Sequence, residues 1–262
     1  MPPTPTDEAP LRRAVWQREP LPHVKRIIAV ASGKGGVGKS TVTVNLAHAL
    51  TDAGQSVGIL DADIYGPSIP RMLGLETRLR PEFTDGQMIP PAAYGIRAMS
   101  IALLMGDQAA VMRAPMITKA LTQMLRQTRW GDAAHPLDVL LVDLPPGTGD
   151  VHLSLAQSAP IDAALIVTTP QDIAVIDAEK SAVMFQKLHI PIWGIIENMS
   201  HFTTPDGTRH EPFGQGGGQK LAHQFQTQLL AQLPLDPVVR QAADSGEKHV
   251  SEPFRLLASQ LT

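Results

Sequence analysis

The sequence predicts an α/β fold: a doubly wound, mostly parallel sheet with helices on both faces. Two observations predict it. Short apolar runs recur along the chain with almost no polar interruption, as strands buried on both faces require. Stretches with helical spacing separate them, so strand and helix alternate as in βαβ units.

The runs are RIIAVAS (26–32), SVGIL (56–60), LDVLLVD (137–143), AALIVTT (163–169) and IWGIIEN (192–198). The helical stretches are TVTVNLAHALTDAG (41–54), PMITKALTQMLRQT (115–128) and DIAVIDAEKSAVMFQKL (172–188). SEPFRLLASQLT at 251–262 reads as a short terminal helix. Residues 1–25 hold six prolines and read as a tail or linker before one domain at 26–262.

Composition narrows the function. The 262 residues are 43% apolar and 18% charged, an ordinary globular balance. The net charge of −3 and the absence of a basic tail or basic terminal helix argue against nucleic acid and anionic membrane as partners. No apolar run approaches a membrane span, and MPPTPTDEAP lacks an apolar signal core, so a cytoplasmic location is expected. The chain has no cysteine, which excludes disulfides and thiolate metal sites. Met99, Met105, Met112 and Met116 read as gap-filling core or interface residues, and the scattered histidines as surface or satisfied core.

In a doubly wound sheet, ligands bind beyond the carboxyl ends of the strands, so the chemistry should lie where these runs stop. The first stops at SGKGGVGKST (32–41). Gly33-x4-Gly38-Lys39-Ser40 between a strand and a helix is the P-loop pattern. Gly33, Gly35, Gly36 and Gly38, with Lys34 and Val37 between them, let backbone N–H groups converge on phosphate. The helix N-terminus adds its positive end. Lys39 would reach the β- and γ-phosphates of ATP, Ser40 would ligate Mg2+, and Thr41 would donate to the α-phosphate.

Other runs also end in polar groups. The second ends in ILDADIYGPS, with Asp61 and Asp63 one residue apart. LDVLLVD ends at Asp143, where an acid holds Mg2+ through water, and runs into LPPGTGD. There Gly147 would offer its N–H to the γ-phosphate, making 143–150 a switch between ATP and ADP. The last run ends at Asn198, whose amide carries both a donor and an acceptor for the adenine edge.

GKGG before the second lysine resembles the deviant Walker A class, which includes nitrogenase iron protein and the MinD and ParA ATPases. The resemblance implies a nucleotide-sandwich homodimer in which Lys34 reaches the nucleotide of the other subunit. It also implies that Asp63 orients the attacking water, that Asp61 lies near Mg2+, and that an asparagine at 198 reads the base. LPLDP (233–237), with Pro234, would set backbone beside that base.

Together, GKGGVGKST, DADIYGPS, APMITKAL, DVLLVDLPPGTGD, ENMS, FGQGGG and LPLDP resemble the Mrp/ApbC family of P-loop ATPases, described as iron–sulfur cluster carriers. That family carries a Cys-x-x-Cys pair shortly after ENMS, and one pair from each subunit holds a bridging Fe–S cluster. Here Thr204 and Gly207 stand at those positions. A hydroxyl is a poor cluster ligand and glycine offers none. His201, Asp206, His210 and Glu211 lie in the same stretch and are the available substitutes.

Three functions follow. The first is a dimeric Mg-ATPase serving Fe–S assembly and transfer to apoprotein clients. The second is a nucleotide-gated adaptor that carries no cluster itself and docks a client or a cysteine-bearing relative. The third is a MinD/ParA-like positioning ATPase, which the charge disfavours.

Overall fold

The computed structural model describes residues 19–262 except 65, 67, 76–79 and 106–113. Met112, the side chain of Met105 and the tail up to residue 18 lie outside the described residues. The first elements are β1 (Val24–Ser32), α1 (Lys39–Asp52), β2 (Val57–Asp61) and α2 (Ile69–Met72). Next come β3 (Glu82–Thr84), β4 (Gln87–Ile89), β5 (Ala92–Ala93), β6 (Ile96–Ser100) and α3 (Ile101–Met105). The middle of the chain forms α4 (Ala114–Gln127), β7 (Leu137–Asp143), α5 (Asp150–Ser158), β8 (Ala163–Thr168), α6 (Asp172–Lys187) and β9 (Ile192–Glu197). The last part forms β10 (Phe202–Thr203), β11 (Arg209–His210), α7 (Gly217–Gln224), β12 (Gln228–Gln232), α8 (Pro237–Ser245) and α9 (Glu252–Ser259).

Eight strands form one sheet in the order β12-β9-β8-β1-β7-β2-β6-β5, and all neighbours are parallel except β5 on β6. The five expected strands are its contiguous centre. β1 is buried on both sides, with Ile27, Ala29 and Ala31 in one core and Ile28 and Val30 in the other. The first core is covered by α4, α5, α6 and α7, through residues such as Leu121, Leu155, Phe185 and Leu221. The second is covered by α1, α2, α8 and α9, through Leu46, Ile69, Val239 and Leu257. Each fully buried side chain of this size contributes roughly 2 kcal/mol. β1 starts at Val24 and Leu21 is buried, so the folded part begins a few residues before 26.

The topology locates the site. β1 and β7 are neighbours, yet β1 continues past β7 to β2, and β7 continues past β1 to β8. Their onward connections diverge, which opens a crevice at their carboxyl ends.

Among the histidines read as surface or satisfied core, His48 of α1 departs from the expectation. It is 1% exposed, and neither ring nitrogen has a hydrogen-bond partner among the described residues. Tyr94 meets it edge-on with ring centroids 5.4 Å apart. Burial, and then the charge of Lys248, depress its pKa from 6.5 to about 4, against the opposing charge of Asp52.

Between these two values the unfolded chain binds a proton that the folded chain does not. Stability is therefore lost as pH falls from 6.5 toward 4, by up to about 3 kcal/mol from this residue. In urea titrations across that range, His48→Phe should lose less stability than the parent. Parallel pH–stability curves for the two proteins would refute this.

Candidate functional site

The loop from 33 to 38 leaves β1 and delivers Lys39 to the first turn of α1. Gly36 and Gly38 both have φ of +81°, a left-handed backbone that other residues adopt with strain. Gly33 is glycine for a different reason: a Cβ there would lie 1.9 Å from the Asp177 carbonyl carbon. Helix α6 therefore packs directly on the loop. On the other side, a Cβ on Gly38 would lie 2.2 Å from the Asn198 amide nitrogen, and that nitrogen donates to the Val37 carbonyl at 2.8 Å. The loop is clamped between α6 and the end of β9.

Three polar groups, buried Lys39 and Thr43 and half-buried Ser40, converge on Asp143, which is itself fully buried. Lys39 Nζ is 2.8 Å from Oδ2, Ser40 Oγ donates to the same oxygen at 2.6 Å, and Thr43 Oγ1 donates to Oδ1 at 2.7 Å. Asp61 lies opposite Asp143 in the β2–β7 register and opposite Ser100 in the β2–β6 register. Two buried carboxylates side by side with one lysine cannot both ionise freely. Burial first, and then the charge of Asp143, push the Asp61 pKa up to about 8. Lys39, the Asp63 N–H and the Ser100 hydroxyl pull the other way. Asp63 is less buried, with Oδ2 4.0 Å from Lys39 Nζ.

A cavity of about 230 Å³ opens in front of these groups, lined by 34–41 together with Asp63, Gly66, Ser68, Met72 and Pro146. A second, mainly apolar cavity of about 380 Å³ adjoins it and shares Gly38, Thr41 and Met72. Asn198, Pro234, Asp236 and Arg240 line the second one. Of the residues singled out from sequence, Lys34, Lys39, Ser40, Thr41 and Asp63 line the first cavity, and Asn198 and Pro234 the second. Asp61 and Asp143 are fully buried behind Lys39. Lys34 makes no ion pair among the described residues. The Gly147 N–H, expected to face a γ-phosphate, here donates to the Ser32 carbonyl at 3.0 Å. Thr43 and Ser100 were not read from the sequence. Thr43 had one signal, its position one helical turn beyond Lys39.

The stretch carrying Thr204 and Gly207 is a β-hairpin, β10 paired with β11. Its tip is a hydrogen-bonded turn in which Gly207 N–H donates to the Thr204 carbonyl at 2.8 Å and Gly207 has φ of +85°. Pro205, Asp206 and Gly207 are the residues such a turn favours. The Asp206 carboxylate accepts from the Thr204 hydroxyl and from the Thr208 N–H and hydroxyl. These bonds, Thr204 first, hold its pKa below the usual range. Glu211 pairs with Arg209, and His201 Nδ1 contacts the Ser200 hydroxyl. No three His, Asp or Glu side chains gather to hold a metal ion among the described residues.

A parallel-sheet crevice, a glycine loop opening a helix, and a buried lysine and hydroxyl on a strand-end acid define a P-loop nucleotide-binding protein. The chain belongs to the ParA family of NUBPL iron-transfer P-loop NTPases, whose model matches residues 23–260. It is 55% identical over 226 residues to the iron-sulfur cluster carrier protein of Salmonella typhimurium, covering 85% of this chain and 60% of that protein. It is 50% identical over 230 residues to the same-named protein of Pseudomonas fragi, covering 87% and 79%. The chain thus spans about 60% of the length of the Salmonella relative.

Among solved structures it is similar to a nucleotide-binding protein from Archaeoglobus fulgidus in complex with ADP. That match has a TM-score of 0.75 and 36% identity, over 90% of this chain and 88% of that one. The MinD cell division ATPase of Pyrococcus furiosus shares the fold, with a TM-score of 0.64 and 23% identity over 90% and 98%.

The packing of α6 on the loop separates two neighbouring glycines. Nothing lies within 4 Å of a Cβ on Gly35, whereas one on Gly33 meets backbone. Gly33→Ala should lose about 3 kcal/mol or more of folding stability, with Gly35→Ala close to the parent. Equal urea midpoints for the two variants would contradict the packing.

Proposed function

We propose that this chain is a Mg-dependent ATPase that works as a homodimer in iron–sulfur cluster assembly or transfer. The observation that carries the reading is the buried Lys39–Asp143 pair with Ser40 on the same carboxylate oxygen, facing two adjoining cavities. The triphosphate occupies the cavity at the glycine loop and the base the apolar one beside it. Backbone N–H groups of 33–41 and Lys39 hold the phosphates, and Asn198 and the backbone at Pro234 flank the base. Asn198 has one amide hydrogen committed to Val37, so its second N–H and its oxygen are the groups left for the adenine edge.

Ser40 and Asp143 form a hard-oxygen pair that suits Mg2+, with Asp61 behind them as a water-mediated partner. Bound there, the ion would neutralise charge on the phosphate oxygens. Lys39 balances Asp143 until a phosphate draws it away, so the acid is left ready for another cation. Asp63 orients the attacking water at the edge of the glycine-loop cavity. Lys34, unpaired among the described residues, serves the nucleotide of the second subunit, where its charge meets the phosphoryl in transfer. Gly147 releases Ser32 and turns its N–H to the γ-phosphate.

The Asp206-centred turn favours the adaptor form of this role. Fe–S cargo needs thiolates, and the turn supplies a hydroxyl already bonded and a glycine. The chain would then dock apoprotein clients, or pair with a cysteine-bearing relative, under nucleotide control. No helix among the described residues is long and apolar enough to cross a membrane.

ATP turnover should fall to background in Lys39→Ala, and equal turnover in the two proteins would end the ATPase reading. Anaerobic reconstitution with iron and sulfide should leave substoichiometric iron after desalting. Stoichiometric iron, lost on changing His201 and His210, would reverse the adaptor reading and assign a cysteine-free cluster site.

A further inference from the structure

The loop between β7 and α5 lies against the phosphate cavity, and a buried side chain grips it from behind. Pro146 lines the cavity. Gly147 is tied to the Ser32 carbonyl, and the Ser32 hydroxyl donates to the Lys34 carbonyl at 3.0 Å. The β7–α5 loop and the P-loop are therefore joined through Ser32.

At the other end, His152 in the first turn of α5 is 2% exposed, with Nε2 2.8 Å from the Pro145 carbonyl oxygen. A carbonyl can only accept, so Nε2 carries the hydrogen. Nδ1 is then an acceptor, buried and without a hydrogen-bond partner among the described residues. Burial, helped by the charge of Lys39, lowers the ring's pKa below its ordinary value against the pull of the Pro145 and Gly149 backbone.

We propose that His152 is a positioning residue that fixes the 144–149 loop and thereby sets the preference for nucleoside triphosphate over diphosphate. This rests on the nucleotide reading above. Prolines 145 and 146 have no N–H, so the loop's donors to a terminal phosphate are the amides from 147 onward. Where those amides lie depends on where the Pro145 end is held, and His152 is the side chain bonded to it.

The test uses the full chain as parent, His152→Leu and His152→Gln. Binding of ADP and of a non-hydrolysable ATP analogue, each with Mg2+, is measured by calorimetry beside a thermal melt. His152→Leu should keep its ADP affinity within about twofold and lose about tenfold for the ATP analogue, the size of one hydrogen-bonded contact. His152→Gln, whose amide N–H can replace Nε2–H, should recover most of that loss. An unchanged triphosphate-to-diphosphate ratio overturns the proposal, as does equal weakening of both nucleotides with a lowered melting temperature. If His152→Leu does not fold, His152→Asn is read against His152→Gln by the same ratio, since its shorter amide leaves the carbonyl unpaired. If the parent binds neither nucleotide, the nucleotide reading fails, and this inference with it.

Discussion

The buried charge balance around Asp143 is the constraint on which the rest of the site depends. A carboxylate with no solvent contact at the centre of a parallel sheet is tolerated only if it is paired and hydrogen-bonded. Asp143 is both, and each of its partners comes from the first turns of α1. The start of α1 is thereby fixed over the end of β7. The loop before α1 is then held at a set height, closed on one side by α6 against Gly33 and on the other by Asn198 against Gly38. Asp61 shares this setting: burial first, and then the charge of Asp143, push its pKa up to about 8 against the pull of Lys39.

The centre of the fold was legible in the sequence and its margins were not. LDVLLVD is β7 residue for residue, and the other four apolar runs match their strands to within two residues at either end. Strands buried on both faces admit little but apolar side chains, so they announce themselves. The edges carry weaker signals: IRAMS of β6 includes arginine and serine, and QLLAQ of β12 begins and ends in glutamine. β5 is two residues long and has no pattern to find.

The site divides in the same way. Lys39, Ser40, Asp61, Asp63 and Asp143, which the structure brings together, stood out in the sequence because each ends or follows a recognisable run. Ser100 and His152 were not, because their part depends on strand register and on where a helix turn places a ring. Asn198 shows the limit of motif reading in another form. Its position after β9 marked it, yet its bond to the Val37 carbonyl follows only from the folded loop.

The turn at 204–207 has a consequence for any thiolate pair built into this chain. Cysteine at 207 would place a side chain where φ is +85°, and cysteine at 204 would remove a hydroxyl bonded to both Asp206 and the Thr208 carbonyl. Either change alone weakens the hairpin, and neither alone completes a thiolate pair. A route to a thiolate pair through single substitutions therefore loses local order before any ligand pair is complete.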